Sequence, residues 1–241
     1  MRHRTIKSNA QRALIAAMLL FGPAAGPAKA STDAKPTMPA AYTGNLTFDI
    51  LRNDTPVGSH SVTFAPDGDT ISVRTKSKIE IDFLFFTAYR FTYASESRWS
   101  GDRLVSLSAR TDDDGTVTTV KATRDGTALR ITGSGGDYAV TPPIYPTNHW
   151  HKGVIGSTKV LNTITGGIDA VRMVKKGRTR LDLPDGALNA WHYAYTGDLR
   201  TEVWYDSLGR WVAMRFEARD GSTIRYVCRN CGQAPSLSTK Q

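Results

Sequence analysis

The 241-residue chain carries 31 Lys and Arg against 22 Asp and Glu, a formal charge of +9. Five of those cations (Arg2, Arg4, Lys7, Arg12 and Lys29) and no acid fall in residues 1–30, which leaves 26 against 22, or +4, for the rest. A balance that mild, with both signs interleaved along the chain, marks a solvated surface and excludes the basic stripe of a nucleic-acid binder.

Residues 1–30 read as an export address. A basic segment precedes a short apolar run at 13–21, and Ala28-Lys29-Ala30 supplies a small-x-small cleavage site. Cleavage is expected after Ala30, with Ser31 as the mature N-terminus and the periplasm as the destination. The apolar run is shorter than the ~20 residues of a membrane helix, so the mature form is expected to have no transmembrane span. Residues 31–41 form a polar leader with two prolines and residues 233–241 a polar tail. Residues 42–232 are left as one domain, long enough for a sizeable core.

From residue 42 onward the pattern is period two. Leu46, Phe48 and Ile50 alternate with polar residues, and Asn53-Asp54-Thr55-Pro56 predicts a turn. Asp67-Gly68 predicts a hairpin. In the strand that follows, Ile71, Val73, Thr75, Ser77, Ile79 and Ile81 share one face, apolar at its ends and hydroxylic in its middle. After the apolar run at 83–86, Tyr89, Phe91, Tyr93, Ser95, Ser97 and Trp99 share the next inward face. Asp112-Asp113-Asp114-Gly115 lacks the alternating ligands and distant Glu of a calcium loop and reads as a hairpin tip. Strands over 116–124 and 127–133 complete the first half, and 134–137 turns the chain.

Residues 144–166 break the alternation. They hold Tyr145, Asn148, His149, Trp150 and His151, and they admit at most a short helix around 147–155, capped by Thr147 or Asn148 and stopped by Gly156. Roughly seven strands precede this insert and about five follow. Past it, 167–175 and 178–183 read as a hairpin over Lys176-Gly177, and further strands cover 190–196, 200–205, 210–218 and 222–228. The sum is an all-β chain with minor helix. About a dozen antiparallel strands form a strongly curved sheet, a half-barrel or open barrel around a short helical or irregular insert, because a sheet of that size curls or closes.

Three stretches, 48–60, 96–104 and 202–211, resemble an uncharacterised family of exported proteobacterial proteins, a domain of unknown function, over roughly residues 46–227. The opening Val57-Gly58 strand and the Trp204-Tyr205-Asp206 hairpin are also similar to a broader group of exported half-barrels built like periplasmic lipoprotein carriers and sigma-factor regulators. That resemblance implies a bent antiparallel sheet around a short helical plug, and it assigns no ligand residues here. Trp204 and Trp211, either side of the Asp206-x-x-Gly209 turn, also have a plain reading as an aromatic pair that stabilises a hairpin end.

For chemistry the insert offers three readings. On a strand His149 and His151 would face the same way and share a metal, and with Cys228 and Cys231 they would make a numerically complete zinc set. An exported protein with two cysteines usually oxidises them, however, so Cys228 and Cys231 are expected to form a disulfide of small structural value, with no metal and no cofactor implied. Ser157, His149 and Asp169 are the parts of a hydrolase, but no nucleophile elbow accompanies them. Binding needs less. Tyr145, Asn148, His149, Trp150 and His151 make an amphipathic patch, and inward Ser and Thr suit a partly polar pocket. The preferred reading is a non-enzymatic periplasmic binding or carrier module for a lipid or other amphipathic small molecule. The alternatives are an envelope scaffold with a protein partner and a metal-assisted enzyme using His149 and His151. Trp150 is expected to plug the concave face, with both histidines in solvent.

Overall fold

The structure is a computed structural model and describes residues 42–83 and 86–231. The expected signal peptide, leader and tail lie outside those residues, as do positions 84 and 85 of the apolar run.

The first half of the chain folds as a plain meander. Strands β1 (Leu46–Arg52), β2 (Thr55–Asp67), β3 (Thr70–Phe83) and β4 (Phe86–Ser100) are followed by β5 (Arg103–Asp113), β6 (Thr116–Asp125), β7 (Ala128–Gly133) and β8 (Gly136–Val140). The insert contributes two short strands, β9 (Tyr145–Pro146) and β10 (Lys159–Leu161), around a 3-10 turn at Lys152–Val154. The second half is β11 (Ile168–Leu183), β12 (Gly186–Gly197), β13 (Glu202–Tyr205), β14 (Trp211–Glu217) and β15 (Thr223–Cys231). All fifteen belong to one sheet in the order β8-β7-β6-β5-β4-β3-β2-β1-β15-β14-β13-β12-β11-β10-β9. Eight strands precede the insert and five follow it.

Tight turns of the expected kinds set the register. Asn53 and Asp54 both take positive φ (46° and 69°), the geometry of a two-residue hairpin whose twist matches its strands. Thr55 and Pro56 already belong to β2, so the turn is shorter than the sequence pattern predicts. Six ladders carry a register shift, and such bulges bend a strand and increase its twist. Their sum is the curvature that lets one face of the sheet enclose a core.

Three expectations need correction. Lys176-Gly177 is not a hairpin turn. β11 runs straight through it, with a bulge between Lys175 and Gly177 where the glycine takes φ +125°. A bulge and a turn use the same residue types, and only the length of the partner strand separates them. The ladder is not wholly antiparallel either, because β9 pairs with β10 in parallel. Finally, Trp204 and Trp211 do not pair across their hairpin. A register shift sets Trp211 opposite Tyr205, Trp204 stacks on His192 at 4.3 Å, and Trp211 enters the core.

The last strand extends past residue 228, where the alternation ends it, so Cys231 as well as Cys228 lies inside β15. Their sulfurs are bonded and both residues are buried. A ring so short gains about 2 kcal/mol in the chain-entropy picture, consistent with a small structural role.

The sheet does not close by strand pairing. Its two ends meet where the β7–β8 turn touches the loop after β10. Gly135 N donates to Thr165 O at 2.6 Å and the Ser134 hydroxyl donates to the same oxygen at 3.1 Å. Glycine permits this approach. A Cβ on Gly133 would sit 2.8 Å from Thr165 O and 3.1 Å from the Gly166 Cα. Gly133→Val should therefore destabilise the fold by about 1–3 kcal/mol through overpacking, although valine is the better strand former. Denaturant melts check this, and faster proteolysis within 162–167 is the accompanying sign that the seam has parted.

Candidate functional site

The insert enters the concave face, and its buried polar groups need partners there. Three tyrosine hydroxyls from separate parts of the chain supply them, two to backbone carbonyls and one to a side-chain amide. The Tyr93 hydroxyl on β4 donates to Asn148 Oδ1 at 2.8 Å, Tyr205 on β13 donates to His149 O at 2.8 Å, and Tyr42, just before β1, donates to Trp150 O at 2.6 Å. Tyr42 also accepts from Trp211 N at 3.0 Å. Burial raises all three phenol pKa values, so they remain protonated donors. Ser95 accepts from Asn148 Nδ2 at 3.3 Å.

Held this way, Trp150 packs among Phe64, Trp99, Tyr42 and His151 and is 2% exposed. It plugs one end of the concave face. The histidines do not lie in solvent as the sequence pattern suggests. Both are buried, at 7% and 9% exposure. His151 is stacked between Trp99 (4.8 Å) and Tyr145 (4.9 Å). Its Nδ1 accepts from Gly153 N at 3.0 Å, which places the proton on Nε2, 3.3 Å from Asp102. His151 therefore caps the 3-10 turn, in place of Thr147 or Asn148. His149 sits at φ +60°, and Trp150 N donates to Asn148 O at 2.8 Å across it. That is a γ-turn with a left-handed centre, a rare and strained conformation outside glycine. It separates the two rings. His149 packs against Trp211 and Tyr195, on the side away from His151. The two rings pack against different neighbours, and no three His, Cys, Asp or Glu side chains converge among the described residues.

The hydrolase parts are not assembled either. The Ser157 hydroxyl donates to Gly153 O, Asp169 accepts from Asn162, and His149 Nδ1 has no hydrogen-bond partner.

The remaining end of the concave face is a cavity of about 710 Å³. Ile79 and Ile81 of β3, Tyr89 and Phe91 of β4, Met214 and Phe216 of β14, and Ile224 and Tyr226 of β15 are among its walls. Its floor is the hydroxyl middle of the strands together with the insert, including Ser77, Tyr93, Asn148, Thr163 and His149. Of the expected site residues, Asn148 and His149 reach this cavity, whereas Tyr145, Trp150 and His151 pack at the plugged end. One floor residue the sequence analysis did not single out is His60 on β2. Its signal was available, since it shares the inward phase of that strand with Val62 and Phe64. Its Nδ1 lies 2.6 Å from Ser77 Oγ, and its ring stands edge-on to Phe48, Trp211 and Tyr226.

Burial pushes the pKa of His60 down to about 3, with His149 adding to the shift, and burial alone pushes His149 down to about 4. Neither ring has a carboxylate among the partners named here to hold its proton.

Two predictions follow from this packing. Trp150→Ala should cost about 3–5 kcal/mol, a large share of a domain's stability. His151→Ala should cost about 1–3 kcal/mol, through the lost stacking and the orphaned Gly153 N–H, rather than the small effect of a surface change. Denaturant melts of both variants test the order. The second prediction concerns pH. Unfolded, both floor histidines titrate near 6.5. The unfolded chain therefore binds more protons below that value, and the stability of the neutral buried rings is complete above about 6.5 and lost as pH falls toward 4 and then 3. At pH 4 the loss should reach about 3 kcal/mol per ring. Melts from pH 7 to 4 should show this slope, and His60→Phe should make it shallower.

No curated protein matches the chain. Among solved structures it is similar to a crystal structure of a beta-barrel-like protein of the domain of unknown function DUF1849 from Brucella abortus, with a TM-score of 0.55 over 78% of this chain and 95% of that one. At 11% identity this likeness concerns the fold alone. A family model, Domain of unknown function (DUF6134), matches residues 48–229, nearly the whole of the sheet from β1 to β15, and the chain belongs to that family.

Proposed function

We propose that the protein is a non-enzymatic binding or carrier module for an apolar or amphipathic small molecule, and that it works in the periplasm after export. The observation that carries this is the cavity. Its 710 Å³ falls within the ~300–1,000 Å³ typical of small-molecule sites. Apolar and aromatic side chains wall it, and a few uncharged polar groups gather at its floor. A core built only for stability would have filled this space, since native interiors are close-packed. The plug at the opposite end explains how the sheet keeps the cavity without collapsing. The basic segment, apolar run and Ala28-Lys29-Ala30 of the sequence support the compartment.

An envelope scaffold would need a contiguous apolar face. Among the described residues, the exposed large apolar side chains, Val117, Tyr138, Ile164 and Leu208, come instead from four separate segments. A metal-assisted reaction has no converging ligand set among the described residues to rest on.

Native mass spectrometry of protein recovered from its own envelope should show a bound small molecule. The neutral fluorophore N-phenyl-1-naphthylamine should bind the emptied protein about one to one. Met214→Trp, which puts a larger ring into the cavity wall, should weaken that binding about ten-fold or more while the variant remains folded by circular dichroism. Undiminished binding in that variant would place the site elsewhere.

A further inference from the structure

The floor of the cavity differs from its walls in a way that selects a head group. His60 Nε2 and His149 Nδ1 are both buried and both lack a hydrogen-bond partner. Leaving a buried polar atom unpaired costs about 1–3 kcal/mol, so two on one cavity floor are a standing penalty in the unliganded protein. His149 also holds its ring there from a strained backbone, the kind of outlier that concentrates at ligand sites. The cavity, the unpaired ring nitrogens and the strained turn therefore coincide at one place.

Charge is distributed the other way. The ionised side chains that line the cavity are Arg52, Asp113, Glu217, Arg219 and Asp220. Arg52 donates to Ser222 and Asp220, and Arg219 reaches Asp113 at 3.4 Å, so four of the five are already engaged with one another. Among the described floor residues there is no Lys, Arg, Asp or Glu to compensate a charged group taken out of water. Both imidazoles are neutral at physiological pH for the reason given above. The free nitrogen of His60 is a donor or an acceptor according to how its other nitrogen shares the proton with Ser77. A hydroxyl both donates and accepts, and it fits either tautomer.

We propose that the cavity binds an amphiphile head-first, with an uncharged, hydroxyl-bearing head against His60 and His149 and its apolar body along the walls formed by β3, β4, β14 and β15. This rests on the cavity being a binding site, and the experiment separates the two claims. A ligand that entered tail-first would leave its head among the charged residues Arg52, Asp113 and Arg219, and its head chemistry would matter little or would favour charge.

The test is displacement of N-phenyl-1-naphthylamine from the full-length mature protein at neutral pH by three probes of equal chain length: 1-dodecanol, dodecanoate and dodecyltrimethylammonium. The alcohol should compete about ten-fold or more better than either ion. His60→Phe keeps the ring volume and removes both nitrogens. It should bring the alcohol to within about three-fold of the ions, each compared with the fluorophore's affinity for the same variant. Because His60→Phe perturbs a buried bond to Ser77, a measurement on the unaltered protein stands beside it. The imidazole 15N resonances of His60 and His149 should shift on adding dodecanol and stay in place on adding dodecanoate. If the fluorophore does not bind at all, the cavity is not a site and both claims fall. If it binds but the three probes compete equally, or the 15N resonances ignore dodecanol, the binding module stands and the head-first arrangement is overturned.

Discussion

Three phenol hydroxyls hold the structure to its purpose. Asn148, His149 and Trp150 form an irregular segment inside a curved sheet, where two carbonyls and one amide would otherwise be desolvated without partners. Tyr93, Tyr205 and Tyr42 reach them from opposite halves of the sheet. Each bond alone is worth about 1 kcal/mol net, but an orphaned carbonyl would cost about 1–3 kcal/mol. The larger effect is geometric. With three consecutive residues fixed at one point each, Trp150 has one place to go, and the backbone between the anchors is forced through the left-handed turn at His149. The plug, the strain and the position of the floor all follow from that clamp.

The clamp also divides the concave face into levels that can be followed down a single strand. On β4, Trp99 meets the plug, Tyr93 meets the insert's polar segment, and Phe91 and Tyr89 line the cavity. β3 repeats the order with Val73 buried, Ser77 at the floor and Ile79 and Ile81 on the wall. The hydroxyl-bearing middle of these strands is thus the layer where an irregular segment and a cavity floor both need hydrogen-bond partners. A wholly apolar strand would have left the insert nothing to dock on.

Much of this was legible in the sequence and some was not. Period-two alternation gave the strands of β1 to β7 and their inward faces, because each side chain's direction depends only on its position along a strand. The break in that alternation located the insert, and the indole as its largest apolar group located the plug. The misreadings share a cause. Lys176-Gly177 was read as a turn because glycine serves bulges and turns alike, and only the pairing with β12 distinguishes them. The histidines were read as solvated because imidazole is ordinarily a surface group. Their burial depends on Trp99, Tyr145, Trp211 and Tyr195, which the chain brings together from remote positions. His60 shares an apolar strand phase with Val62 and Phe64, which marks it as inward but not as part of a cavity floor. A cavity has no local signature at all, since it depends on how sharply six bulges bend the sheet.

The strand order carries a consequence for how the chain finds this fold. Taken from β9 through β15 and then from β1 through β8, the sheet is an unbroken succession of sequence neighbours. The natural chain is a circular permutation of that simple meander. Among the described residues one long-range ladder, β1 with β15, joins the halves, where Arg52 meets Ser222 across 170 residues. Every other ladder is local and cheap in loop entropy, so two half-sheets can form early and separately, and they zip together at the middle of the sheet rather than at its edge. The clamp draws on both halves as well, with Tyr93 in one and Tyr205 in the other. The floor of the cavity therefore exists only where both half-sheets are joined, and a rearranged chain opened between β8 and β9 would replace that long-range closure with one more hairpin.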